Sequence, residues 1–183
     1  MKNIILTFLL GSLAWGCTPQ LSHFTQSLVQ QYQYDDQALQ KIQFYLSDDI
    51  ILHRALRQGE STIEQGRISI RNGRRVEEIV FPKGTPGVFV FSPGKDRLAI
   101  SFERKADHYL IFGPAKNSRG YRGEKGVYRL LAKEWKKDYG IVTYGDKEYA
   151  TPGRSAYVGL LVDIDEKGIV NRRVKEVGGR TVR

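Results

Sequence analysis

STIEQGRISIRNGRRVEEIVFP, residues 61–82, decides the fold. Asn72 and Gly73 both tolerate positive φ, and together they are a strong two-residue hairpin signal. The flanking runs, 61–71 and 74–82, read as its two strands. Glu77 and Glu78 are sequence neighbours on the second strand. Successive side chains of a strand point to opposite faces, so these carboxylates do not form an acid–base pair.

The pattern extends on both sides. Residues 50–56 are a first strand. GVFVFS at 87–92 follows the hairpin, with a Pro93-Gly94 turn after it. The three prolines and three glycines of 81–94 are architectural, because rigid turns fix the register of the apolar strand between them. RLAISFE at 97–103 places Leu98, Ile100 and Phe102 on one face. Further strands are expected at 109–112, 127–135, 140–144 and 147–149, the last two around a tight Gly145-Asp146 turn. A final hairpin, 157–165 and 169–177, turns at Lys167-Gly168. About ten short strands at this spacing fit either a two-sheet sandwich or a closed barrel. The expected class is therefore mainly β, a compact antiparallel barrel-like or sandwich domain, with barrel-like closure favoured. One amphipathic helix precedes it at 36–46, capped by Asp35-Asp36 and carrying Leu39, Ile42, Phe44, Tyr45 and Leu46. The domain is expected to span 35–183, without internal repeats or a second domain.

The N-terminus has a different character. Lys2 is followed by an apolar run from Ile4 to Leu13, the layout of a secretory leader. The run is shorter than the roughly 20 residues needed to span a bilayer. It ends in Ala14-Trp15-Gly16-Cys17, where Cys17 is the single cysteine of the chain. These residues resemble the lipobox of bacterial lipoproteins. Gly16 matches the small residue before the cut, while Ala14 stands where the family usually carries leucine. The resemblance covers about 17 residues. It implies a signal peptide at 1–16, lipidation of Cys17, and a cell-envelope location, an outer membrane by the Thr18 that follows. Acyl chains contribute about 0.8 kcal/mol per buried CH₂, so two or more hold a protein on a membrane. Residues 17–34, rich in Gln, Ser and Thr, are expected to be a tether, helical in part through Phe24, Leu28 and Tyr32.

After removal of the leader about 166 residues remain, enough for one core. The composition, 40% hydrophobic and 27% charged, is that of a globular chain, and the net charge of +9 favours anionic partners. The export signal argues against nucleic acid among them.

Catalytic motifs are scarce. His23, His53 and His108 have no second histidine or cysteine at ligand spacing, and a tetrahedral metal site needs three or four such ligands. Ser155 lacks the Gly-x-Ser-x-Gly elbow and an evident base. Asp163 and Asp165 share a strand face but read as solvated charges. No cofactor is implied, and no enzymatic activity is expected. The candidate binding residues are Lys116, Arg119, Tyr121, Arg122 and Lys125, in the glycine-framed loop GPAKNSRGYRGEKG at 113–126. Such a loop suits a phosphate, sulfate or acidic sugar, although it lacks the Walker pattern. The cations of 167–183 suit a protected edge strand or a docking surface. By class, the chain resembles small lipoproteins of Gram-negative envelopes that serve as accessory subunits. The expectation is a lipid-anchored, non-enzymatic subunit with a protein partner. The alternative is a binding module for an anionic glycan or lipid head group, and an envelope hydrolase ranks third.

Overall fold

A computed structural model describes residues 21–57, 66–105, 107–115 and 125–164. The order is β1 (Leu21–His23), α1 (Gln26–Tyr32), α2 (Asp36–Leu39), β2 (Gln43–Leu46), β3 (Ile50–Ala55), β4 (Arg67–Arg71) and β5 (Arg74–Phe81). Then come β6 (Pro86–Gly94), β7 (Arg97–Ser101), β8 (Leu110–Pro114), β9 (Tyr128–Leu130), β10 (Glu134–Trp135), β11 (Tyr139–Tyr144) and β12 (Lys147–Pro152). A 3-10 helix (Gly153–Tyr157) and β13 (Leu160–Asp163) complete it.

The hairpin reading of the opening stretch holds. Asn72 and Gly73 both have positive φ, as a primed turn requires, and β4 and β5 pair without interruption from Arg71↔Arg74 to Arg67↔Glu78. Gly145 likewise has positive φ between β11 and β12. The turn placed at Pro93-Gly94 is instead at Lys95-Asp96, with Asp96 in the left-handed region. Pro93 and Gly94 belong to β6, whose register slips between Phe89 and Phe91 and again before Gly94. A bulged strand accommodates proline where a regular ladder would not.

All pairing is antiparallel, in two sheets. One has the order β1-β13-β2-β6-β7-β8-β9, the other β10-β11-β12-β3-β5-β4. The chain passes between sheets at 47–49, 82–85, 131–133 and 153–159. Alternate residues face inward, so Phe44, Leu46, Phe89, Ile100, Leu110, Phe112 and Leu160 of the first sheet meet Leu52, Ile79, Phe81, Val142, Tyr144 and Tyr149 of the second in one core.

The favoured barrel-like closure is corrected: the sheets stay separate, as a sandwich. Where the seven-stranded sheet curls, its two ends meet through single bridges and not a ladder. Tyr128 N–H donates to Phe24 O (3.0 Å), and Leu130 N–H to Val158 O (3.0 Å).

The helix expected over 36–46 is also corrected. Asp35 caps it as expected, accepting from Ala38 N–H at 2.7 Å, but the helix ends at Leu39. Ile42, Phe44 and Leu46 are fully buried at every second residue, and that period matches a strand beside β13 and β6. The tether reading fails from residue 21 onward. Leu21–His23 pairs with β13, and the Phe24 ring is completely buried. The helical part of that expectation stands: Thr25 caps α1, and Leu28 and Tyr32 pack on the core.

Candidate functional site

The two neighbouring glutamates of β5 organise the outer half of the six-stranded sheet. As the alternation requires, they face opposite ways, and both are buried. Glu77 shares the inner face with Ile79 and Phe81. It lies opposite Arg54 of β3, whose Nε and Nη2 donate to Oε2 at 3.1 and 2.8 Å. The Tyr149 hydroxyl, from β12, donates to the same oxygen at 3.1 Å. Burial first, then the Glu77 carboxylate, push this phenol up to about 12, so it keeps its proton for that bond. Glu77 Oε1 is buried and has no hydrogen-bond partner among the described residues.

Glu78 holds the other face. Arg67 donates to Oε1 through Nε (2.9 Å) and Nη2 (2.6 Å), and Arg71 approaches Oε2 at 3.6 Å. Gly66, at positive φ, lets the chain pass against the Glu78 carbonyl, a contact that any Cβ would block. The hairpin is thus pinned from both sides by charge-assisted bonds.

Its tip is exposed. Arg71, Arg74 and Arg75 surround the turn, and Arg71 sits directly opposite Arg74. Like charges directly opposite each other are unfavourable. Ile70, paired with Arg75 on the other face, is 75% exposed. A shallow depression beside the base is lined by Gly66, Arg67, Glu78 and Val80. The arrangement is a rigid cationic projection with an apolar element.

His53 stands beside Glu78 on the outer face. Burial, and then the Arg71 guanidinium, lower its pKa from 6.5, while Glu78 opposes them. Below 6.5 the unfolded chain therefore takes up the proton more readily than the folded one. The stability tied to His53 is present above 6.5 and is lost as the pH falls through the lowered folded value. Moving from about pH 7.5 to about pH 5.5 should cost wild type more stability than His53→Gln, measured by urea unfolding.

Cys17, Lys116, Arg119, Tyr121, Arg122, Asp165 and the cations of 167–183 lie outside the described residues. Lys125 is exposed, just before the point where Ala115 N–H donates to Val127 O at 2.9 Å. Ser155 is buried in the 3-10 helix and accepts from Thr151 Oγ1 at 2.8 Å. His108 packs on Tyr144, its Nδ1 at 2.9 Å from Asp107, and Asp163 is in β13. Among the described residues no hydrogen bond joins Ser155, His53, His108 and Asp163 to one another, and no metal-binding cluster occurs.

The arginine hairpin was not among the sequence candidates. The signal was present, because the Asn-Gly turn alone fixes Arg71 opposite Arg74 and Arg67 opposite Glu78. No protein-family model, curated protein or solved structure matches the chain.

Proposed function

We propose that the protein is a lipid-anchored, non-enzymatic accessory subunit of an envelope assembly, and that it holds a protein partner through the arginine hairpin β4–β5. The leader ending at Cys17 supports the anchor and an outer-membrane location. The observation that carries the docking role is the exposure of Arg71, Arg74, Arg75 and Ile70 on a hairpin pinned by two buried glutamates. A pre-organised surface gives up little conformational freedom on binding, and arginine is enriched at the energetic centres of interfaces.

The test is a crosslinked pull-down of the lipidated protein from native membranes. Wild type should retain one dominant partner in near-equal amount. Arg74→Glu/Arg75→Glu should reduce the yield by about tenfold or more, since charge reversal adds repulsion to the lost attraction. Both side chains are exposed, so the fold should survive the change. Wild type recovered alone from gentle detergent would overturn the proposal.

The exposed Lys125 at the locked base of the 113–126 loop favours a second reading, an anionic glycan or lipid head group held there. Such binding would weaken with salt and with Arg119→Ala/Arg122→Ala, yet ignore charge reversal in the hairpin. The hydrolase reading stays third: among the described residues the Ser155 hydroxyl accepts from Thr151 Oγ1.

A further inference from the structure

We infer that the outer edge of β4, unpaired among the described residues, takes up an extended acidic segment of the partner as an additional strand, an inference that rests on the docking role proposed above. The two sheets have four ends. β1 and β9, the ends of the seven-stranded sheet, lie where the chain is stitched together by the bridges Thr25↔Val127 and Arg129↔Gly159. At the far end of the six-stranded sheet, β10 is two residues long, with Lys133, Lys136 and Lys137 close by. That is how an edge is protected: it is kept short and lined with lysine. β4 differs. It has five residues in unbroken register with β5, contains no proline or bulge, and pairs with no other strand among the described residues.

Its side chains specify the occupant. Arg67, Ser69 and Arg71 point to one face, Ile68 and Ile70 to the other. Arg67 is 73% exposed and Arg71 46%, so both guanidiniums retain accessible donors beyond those given to Glu78. The Ser69 hydroxyl between them is buried and has no hydrogen-bond partner among the described residues, so it is not among the contacts offered to the occupant. Ile68 and Ile70 are exposed beside them. An added strand with acids at alternate positions would meet the two arginines and relieve the Arg71–Arg74 repulsion. Its intervening apolar residues would cover the two isoleucines. Main-chain bonds to the edge would supply affinity and the alternating side chains specificity, as in strand-addition recognition generally.

The probe is a short capped peptide of alternating glutamate and valine, added to the full lipidated chain in detergent micelles. Its counterpart has the same side chains but N-methylated amides along one edge, so it keeps the charge and loses main-chain pairing. The parent peptide should bind at least about tenfold more tightly than the counterpart, and it should slow exchange of alternate β4 amides in NMR spectra. Ile70→Ser, at an exposed position, should weaken parent binding by removing the apolar contact without altering the fold. Equal binding of the two peptides, no binding of either, or unchanged β4 exchange would overturn the strand addition. If that happens while membranes still yield an Arg74/Arg75-dependent partner, docking stands and only the edge mechanism falls. If membranes yield no partner, the docking role falls, whatever the peptide does.

Discussion

Phe24→Ala is expected to destabilise the domain by about 3–5 kcal/mol, the range for deleting a buried aromatic ring. Phe24 is fully buried. Its ring meets Phe44 edge-on at 5.2 Å and Tyr128 at 5.1 Å, with Tyr34 at 6.3 Å. Phe44 belongs to β2 and Tyr128 to β9, so the walls of the cavity would be strands fixed by their own ladders. They cannot collapse into it, and the cost should lie toward the upper end. The backbone of Phe24 also joins the two ends of the sheet, donating to Leu160 O (2.9 Å) and accepting from Tyr128 N–H. Loosening residue 24 therefore exposes an edge as well as a void. Leu21→Ala, three residues earlier and already partly exposed, is the control and should stay within about 0.5 kcal/mol of wild type. Urea unfolding midpoints at unchanged m-value measure both. Equal, small effects would mean that residues 21–34 peel away freely, as a tether would.

That contrast shows why the sequence misleads at its N-terminal end. Gln, Ser and Thr dominate the segment, and one phenylalanine does not stand out against them until β9 comes round to cover it. Leu39, Ile42, Phe44 and Leu46 fit a helical stripe and a strand almost equally well over so short a span. Only the neighbours β13 and β6 select the period of two. Local chemistry was legible: Asn72-Gly73 and Gly145-Asp146 mark their hairpins because backbone sterics at a turn need no partner. Sandwich against barrel was not legible, because it depends on pairings between residues far apart in the chain. The site divides in the same way. Arg67 opposite Glu78 follows from the turn alone. Arg54, Glu77 and Tyr149 come from three strands spread over almost a hundred residues, and only the folded sheet brings them together.

The Arg54–Glu77 pair carries the other large expected effect, one that reverses when the pair and Tyr149 are replaced together. Glu77→Leu should cost about 3–5 kcal/mol, because it removes the buried carboxylate that accepts both the Arg54 guanidinium and the Tyr149 hydroxyl. Arg54→Met should cost a comparable amount, since Glu77 is fully buried and one of its oxygens already lacks a partner among the described residues. Together, Arg54→Met/Glu77→Leu with Tyr149→Phe should return to within about 1 kcal/mol of wild type, because apolar groups of similar volume also remove the desolvation penalty. A coupling energy above about 2 kcal/mol between the two single changes is the quantity to measure, by urea unfolding of the full cycle. Simple additivity would mean that solvent reaches the pair and that it contributes little. With strong coupling and a stable apolar replacement, net stability no longer accounts for an ionic pair at this position. Its remaining effect is directional. Two guanidinium bonds onto one carboxylate oxygen fix where β5 lies against β3, and hence where the arginine tip points. The apolar variant should then fold normally yet capture partner less well than wild type, and the membrane pull-down reads that separately from stability.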